Sequence, residues 1–252
     1  MSTIPDKPPF KFLDILYKKE FILFIVLVSI LILNSNISPY FLDLYNLIDS
    51  TFLFSEKAII ALTMTFVIIA RQIDLSVASI IAVSSCVLGY TTSLGYDTWL
   101  VISFTLLSGA LCGAFNGAII TKFAIPSIIV TIGTMSLFRG LAYSFLEDSY
   151  YNKFPKLVSN LGSGYLFGYI PYAFLTFLLL SLVFAFILHK TSVGKKIYSI
   201  GNNPDAAQYT GIAVDKYTFV LFTLNGVFSA IAAIFLAGRL SSVRPNIGQE
   251  IE

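Results

Sequence analysis

The chain has 252 residues, 56% of them hydrophobic and 12% charged, with a formal net charge of +2 and a mean hydropathy of +0.82. A soluble domain carries about 25% charged residues, so the surplus apolar surface has to face hydrocarbon. The small, unclustered positive charge excludes a nucleic-acid partner, and a single histidine, His189, supplies no metal constellation.

A spanning helix needs roughly 20 predominantly apolar residues, and about seven runs approach that length, which makes the fold class all-α, a polytopic transmembrane helical bundle. The first is Glu20–Ile37. Lys18 and Lys19 ahead of Phe21–Leu33 also look like the start of a signal peptide, but "NSNISPYF" follows without a small-residue cleavage site, so the run is read as a retained span. The second run is Leu53–Ala70, and the third, Leu75–Tyr90, is short. Between them "VIIARQIDLSVAS" places Arg71 and Asp74 among apolar residues. One reading is a tight turn at the membrane surface, with Asp74 capping the next helix and Arg71 reaching to water. The other is a broken helix entering the protein interior, where irregular backbone is tolerated only under cover of protein or water. Composition and spacing leave both open.

The fourth span, Leu100–Ile120, carries "SGALCGAFNGA". Gly109, Gly113 and Gly117 recur every four residues, a face that lets a neighbouring backbone approach closely. Asn116 beside them reads as interhelical glue or, less often, a ligand. Cys86 and Cys112 lie in apolar runs and read as small packing residues. In the fifth span, Pro126–Phe145, Ser127, Thr131 and Thr134 share one helical face. Such hydroxyls commonly bond back to their own helix's carbonyls. The charge of Arg139 should not face lipid, so it either reaches the outer end or pairs inside the bundle.

An aromatic and polar loop, Glu147–Tyr165, precedes the sixth span, Leu166–His189. The polar loop after it contains "GNNPDAAQYTGI". Asn203 suits an N-cap, Pro204 the first helical position, Asp205 the first turn and Gly211 the position just past the end, giving a short surface helix. The seventh span is Tyr217–Ala237. With the N-terminus inside, Lys7, Lys11, Lys18, Lys19, Arg71, Lys122, Lys190, Lys195, Lys196 and Lys216 lie inside. Lys57, Lys153, Lys156, Arg239 and Arg244 lie outside, so the bias favours a cytoplasmic N-terminus. No acid is expected deep in any span, which disfavours an ion-driven secondary transporter, and the lone histidine disfavours a membrane-bound enzyme.

The ordered segments "QIDLSVAS", "GAFNGAIITKFAIPSIIVTIGTMSLFRGLA", "TSVGKKIYSIGNNPDAAQYTGIAVDKY" and "NGVFSAIAAIFLAGRLSSVRPNIG" resemble the membrane subunits of bacterial ATP-binding-cassette sugar importers, over nearly the whole chain. The relatives are the ribose, xylose, arabinose and galactose permeases. The family signature "GGIDLSVG" falls on Ile73, Asp74, Leu75, Ser76 and Val77. Arg71 and Gln72 stand in place of its two leading glycines and Ala78 in place of its last, which puts close backbone packing at this turn in doubt and resembles the rhamnose-type branch.

The resemblance implies a membrane-embedded permease domain over residues 20–252 behind a cytoplasmic segment 1–19, with a coupling loop at 190–216. In that loop Gly201, Asn202, Asn203, Pro204, Asp205, Ala206, Ala207 and Gly211 would meet the ATPase. Asp74, Ser76, Asn116, Thr131, Thr134 and Arg139 would serve the translocation path or the core. It further implies a multi-pass protein of the bacterial inner membrane with about seven spans of a roughly ten-span permease, the chain being truncated at its C-terminal end. The partners would be ATPase subunits, a second copy or a homologous permease, a periplasmic sugar-binding protein, and membrane lipid. No "GxxxxGK[ST]" occurs, so no cofactor is expected in this chain, and ATP would be bound by the partner subunit. A branched-chain amino acid permease, or a fragment that does not transport, would share most of these features.

Overall fold

The structure, a computed structural model, describes residues 19–146 and 150–249. The expected cytoplasmic segment up to Lys18, the start of the outer loop at Glu147, and residues 250–252 lie outside the described residues. The described residues up to Ile48 and those from Asp49 onward form two compact units.

In the first unit, α1 (Lys19–Ile37) is apolar on every face, the composition of a helix surrounded by lipid. Its amides are dealt with internally: Asn34 and Asn36 donate to the carbonyls of Ile30 and Ile32 at 2.9 and 2.8 Å, so neither is left bare in an apolar setting. The short α2 (Leu44–Asp49) follows and ends one residue past Ile48.

The second unit contains α3 (Phe52–Ile69), α4 (Val77–Ser93), α5 (Thr98–Phe123), α6 (Ser127–Leu146), α7 (Lys156–Ser163), the hairpin strands β1 (Tyr165–Leu166) and β2 (Ile170–Pro171), α8 (Tyr172–Lys190), α9 (Ser192–Asn202), α10 (Pro204–Tyr209) and α11 (Val214–Leu240). Among the described residues, five helical stretches are long and apolar enough to cross a membrane: Leu44–Ile69, Thr98–Phe123, Ser127–Leu146, Tyr172–Lys190 and Val214–Leu240. Phe21–Ile37 and Val77–Ser93 are shorter apolar helices. Together they fall on the seven expected runs.

One boundary differs. The run from Leu166 does not begin a span; Tyr165 pairs with Pro171 and Leu166 with Ile170 across a turn. Phe167 and Gly168 both have positive φ, 54° and 79°, the backbone of a tight hairpin turn. Apolar content alone hid a turn that Gly168 makes possible.

The hub is α11. Of its most apolar stretch 61% is buried, against 17% for α8, so α11 is surrounded by protein and α8 lies at the rim. α5 packs along α11 through the glycine stripe: a Cβ on Gly109 would overlap the Gly226 carbonyl, and one on Gly113 the Phe222 carbonyl. The sequence pattern thus becomes direct backbone contact, the expected use of small residues between helices in lipid.

The two ends of this unit are organised differently. One gathers the α3–α4 connection, α9 and α10 around Phe66, Val67, Ala70, Ile197, Ile200, Ala207, Leu221 and Phe222. At the other, Tyr151 forms an antiparallel bridge with Val243, and Gly162 of α7 lies on the backbone of Gly238 and Arg239.

Candidate functional site

Helix α3 ends in a two-bond cap of its own. The amide of Arg71 donates to the Ile68 carbonyl at 2.9 Å and that of Gln72 to the Val67 carbonyl at 3.0 Å, with Arg71 left-handed at φ 60°. This is the motif that normally places glycine at the left-handed position. The arginine substitutes there, its side chain exposed, at a conformational cost of about 1–2 kcal/mol.

From Gln72 to Ser76 the chain is not helical, and its polar groups are satisfied by other elements. The Ile73 amide donates to Ser127 Oγ at 3.0 Å, and Thr131 Oγ1 donates to the Ile73 carbonyl at 3.3 Å. Two of the three hydroxyls on the α6 face therefore cover the break. Thr134 follows the ordinary back-bonded pattern, donating to the Thr131 carbonyl at 3.4 Å.

Asp74 is 2% exposed. Its Oδ1 accepts from the Ser76 amide at 2.9 Å and from Ser76 Oγ at 2.6 Å, and its Oδ2 accepts from Asn225 Nδ2 at 2.7 Å. Thr63 Oγ1 donates to Asn225 Oδ1 at 2.7 Å, and Asn116 Nδ2 donates to Ser76 Oγ at 2.7 Å. One carboxylate thus joins the break to α3, α5 and α11. Hydrogen bonds to charged groups contribute about 1.5–3 kcal/mol each, and the start of α4 adds the favourable field of its free amides. Asn225 sits about 16 Å along α11 from Val214 at 1.5 Å rise per residue, well inside the helix. The break is covered by protein, as the reading of a broken helix asks, while Asp74 caps α4 and Arg71 is exposed, as the reading of a surface turn asks. Asn116 Oδ1 is buried with no hydrogen-bond partner among the described residues.

The polar loop beyond α8 forms two short helices. Thr191 caps α9, accepting from the Gly194 amide at 3.4 Å, and Asn203 caps α10, accepting from the Ala206 amide at 3.1 Å. Pro204 opens α10, and Asp205 lies in its first turn. Gly211 closes it at φ 84°, with its amide on the Gln208 carbonyl at 2.9 Å and that of Ile212 on the Ala207 carbonyl at 3.1 Å. Gly201 and Asn202 belong to α9 rather than to the capped helix. Ala207 is buried, while Pro204, Asp205, Ala206 and Gln208 are exposed and Tyr209 is 92% exposed. α10 therefore shows an apolar foot to the bundle and a polar, aromatic face outward.

At the opposite end lies a buried ion pair. Glu56, within the second apolar run, is a buried acid, 2% exposed, and accepts from Arg239 Nε at 2.7 Å. Its burial comes from α11, whose last turn brings Arg239 over it. Arg139 reaches along the bundle and donates from Nη1 to the carbonyls of Pro245 and Ile247 at 3.3 and 2.9 Å. Glu56, Lys57, Arg239, Arg244, Asn246 and Gln249 line a cavity of about 330 Å³. Asn225, Thr63 and the Glu56–Arg239 pair were not anticipated. The available signal was a lone amide in the otherwise apolar "TLNGVFSA", which membrane-buried polar residues make worth attention.

Comparison with known proteins gives one family model, described as branched-chain amino acid transport system / permease component, matching residues 46–252. The chain is 34% identical to the ribose import permease protein of Haemophilus influenzae, over 93% of this chain and 73% of that protein. It is 35% identical to the ribose import permease protein of Bacillus subtilis, over 91% and 70% respectively. It is 32% identical to an autoinducer 2 import system permease protein of Klebsiella pneumoniae, over 92% and 71%. No solved structure matches the chain.

Proposed function

The chain belongs to the permease-component family and is a membrane subunit of a sugar importer of the ATP-binding-cassette class, and from that premise we propose that it carries a monosaccharide inward under the drive of a separate ATPase. The N-terminus is cytoplasmic in this reading, which puts α9 and α10 on the inner face and the Glu56–Arg239 cavity on the outer face. A periplasmic sugar-binding protein delivers cargo to the outer loops. A second permease copy, or a homologous permease, completes the path.

The observation that carries the proposal is α10. Asn203 and Gly211 cap it at both ends, Ala207 seats it on the bundle, and Tyr209 stands clear of the rest of the protein. Such a knob presents contacts to an ATPase without unfolding. ATP binds the partner subunit, whose two states make different contacts with the knob; only such a difference can shift the permease between its own states. The residues from Gly201 to Gly211 form the coupling region in this assignment, with the exposed residues of the stretch meeting the ATPase and Gly201 facing the bundle behind them. Asp74, Ser76, Asn116, Thr131 and Thr134 build the core around the broken helix rather than lining a path, and Gly109, Gly113 and Gly117 close the α5–α11 contact. Arg139 fastens the segment after α11. At the outer face, the carboxylate, guanidinium and amide groups of the cavity suit hydroxyls that both donate and accept.

The test is a cysteine at Ala206 with a short crosslinker in intact cells. An ATPase chain is the expected product, and its absence overturns the coupling assignment. Deleting Gly201–Gly211 is expected to leave membrane insertion intact and to abolish the coupling of ATP hydrolysis to uptake. Competition of uptake by ribose and by leucine separates a sugar cargo from a branched-chain amino acid.

A further inference from the structure

The helix that leads into the knob meets the broken helix backbone to backbone. Gly201, on the last turn of α9, lies directly on the end of α3: a Cβ there would overlap the Ile69 carbonyl and stand 3.7 Å from Ala70 Cα. Ile197 and Ile200 of α9 and Ala207 of α10 share one buried cluster with Phe66, Val67 and Ala70 of α3 and its cap. Ile69 is followed within five residues by Asp74, a chain distance of at most about 17 Å. That stretch has little slack. Arg71 and Gln72 are pinned to the Ile68 and Val67 carbonyls, Ile73 to Ser127, and Asp74 to Ser76 and Asn225.

Packed side chains absorb a small push by changing rotamer, whereas backbone against backbone has no such freedom. We propose that Gly201 is a positioning residue of the transport cycle, the bearing through which movement of α9 and α10 displaces the Ile69–Asp74 turn and, with it, the start of α4. The proposal rests on the assignment of α10 as the ATPase-docking helix and adds the route by which docking reaches the core. Displacement enters at the Ile69 carbonyl, and the Asp74 hydrogen bonds to Ser76 and Asn225 hand it to α4 and α11. A Cβ at position 201 lifts α9 off α3 and breaks the route without touching the exposed face of α10.

The experiment uses the complete importer in liposomes, with Cys86→Ala and Cys112→Ala and a reporter Leu75→Cys, whose side chain is part-exposed in the break. Maleimide labelling of the reporter is timed with and without nucleotide trapped on the ATPase, alongside sugar uptake and ATPase co-purification. With Gly201 present, the labelling rate is expected to change several-fold on trapping. In Gly201→Ala it becomes nucleotide-independent, and uptake falls tenfold or more, while the ATPase still co-purifies. Nucleotide-dependent labelling and normal uptake in Gly201→Ala overturn the proposal. Should that variant fail to insert, Ile200→Ala, which hollows the same seam, decides: an unchanged response overturns the bearing, and a weakened response at full ATPase binding supports it. A permease with Gly201 that binds the ATPase but labels independently of nucleotide also overturns the bearing and leaves docking standing. If the ATPase does not bind at all, it is the docking assignment that fails.

Discussion

Asp74 and Glu56 are equally buried, each 2% exposed, yet they are held in opposite ways. Among the described residues Asp74 has neutral donors: a backbone amide and a hydroxyl at the start of α4 and one amide from α11. Glu56 has a cation, Arg239, itself 26% exposed. A carboxylate held by neutral dipoles depends on several elements being in place together. A carboxylate held by an arginine depends on one partner, and that partner is partly shared with water. The first arrangement reports on the assembly of the core, the second on one helix end meeting another.

The sharpest way to break the contrast is Asp74→Ala. It strands the Ser76 amide and hydroxyl and the Asn225 amide in a buried site, and a loss of about 3–5 kcal/mol is expected in denaturant unfolding of the purified protein. Arg239→Ala should cost about 2 kcal/mol by the same measurement, because the buried Glu56 loses its cation but the site borders solvent. Pairing that change with Glu56→Leu should recover most of the loss, whereas no single compensating change rescues Asp74→Ala. Recovery in the Asp74 case would show that its network is a local cap after all. The smallest effect is Arg71→Gly, which removes a side chain from a left-handed position and should raise stability by about 1 kcal/mol in the same assay.

What could be read from the sequence was what is written locally. The apolar runs, the four-residue glycine spacing and the start and stop residues of α10 all act through neighbours a few positions away, and each has its counterpart in the structure. The two readings of Asp74 could not be separated because both place a carboxylate at the start of α4. They differ in whether distant parts of the chain cover the turn, as Asn225, 151 positions along, does. Glu56 and Arg239, 183 positions apart, were unreadable for the same reason. The hairpin before α8 failed differently: "YLFGYIP" is as apolar as a span, and only the backbone angles of Phe167 and Gly168 distinguish them.

The meeting of α5 with α11 sets limits on any cycle of opening and closing. With main chain touching main chain at Gly109, Gly113 and Gly226, the two rods cannot slide or roll past each other without parting altogether. They behave as one welded girder. Whatever alternation the protein undergoes has to pivot around that girder, and the pinned, unwound link ahead of α4 is the lever beside it.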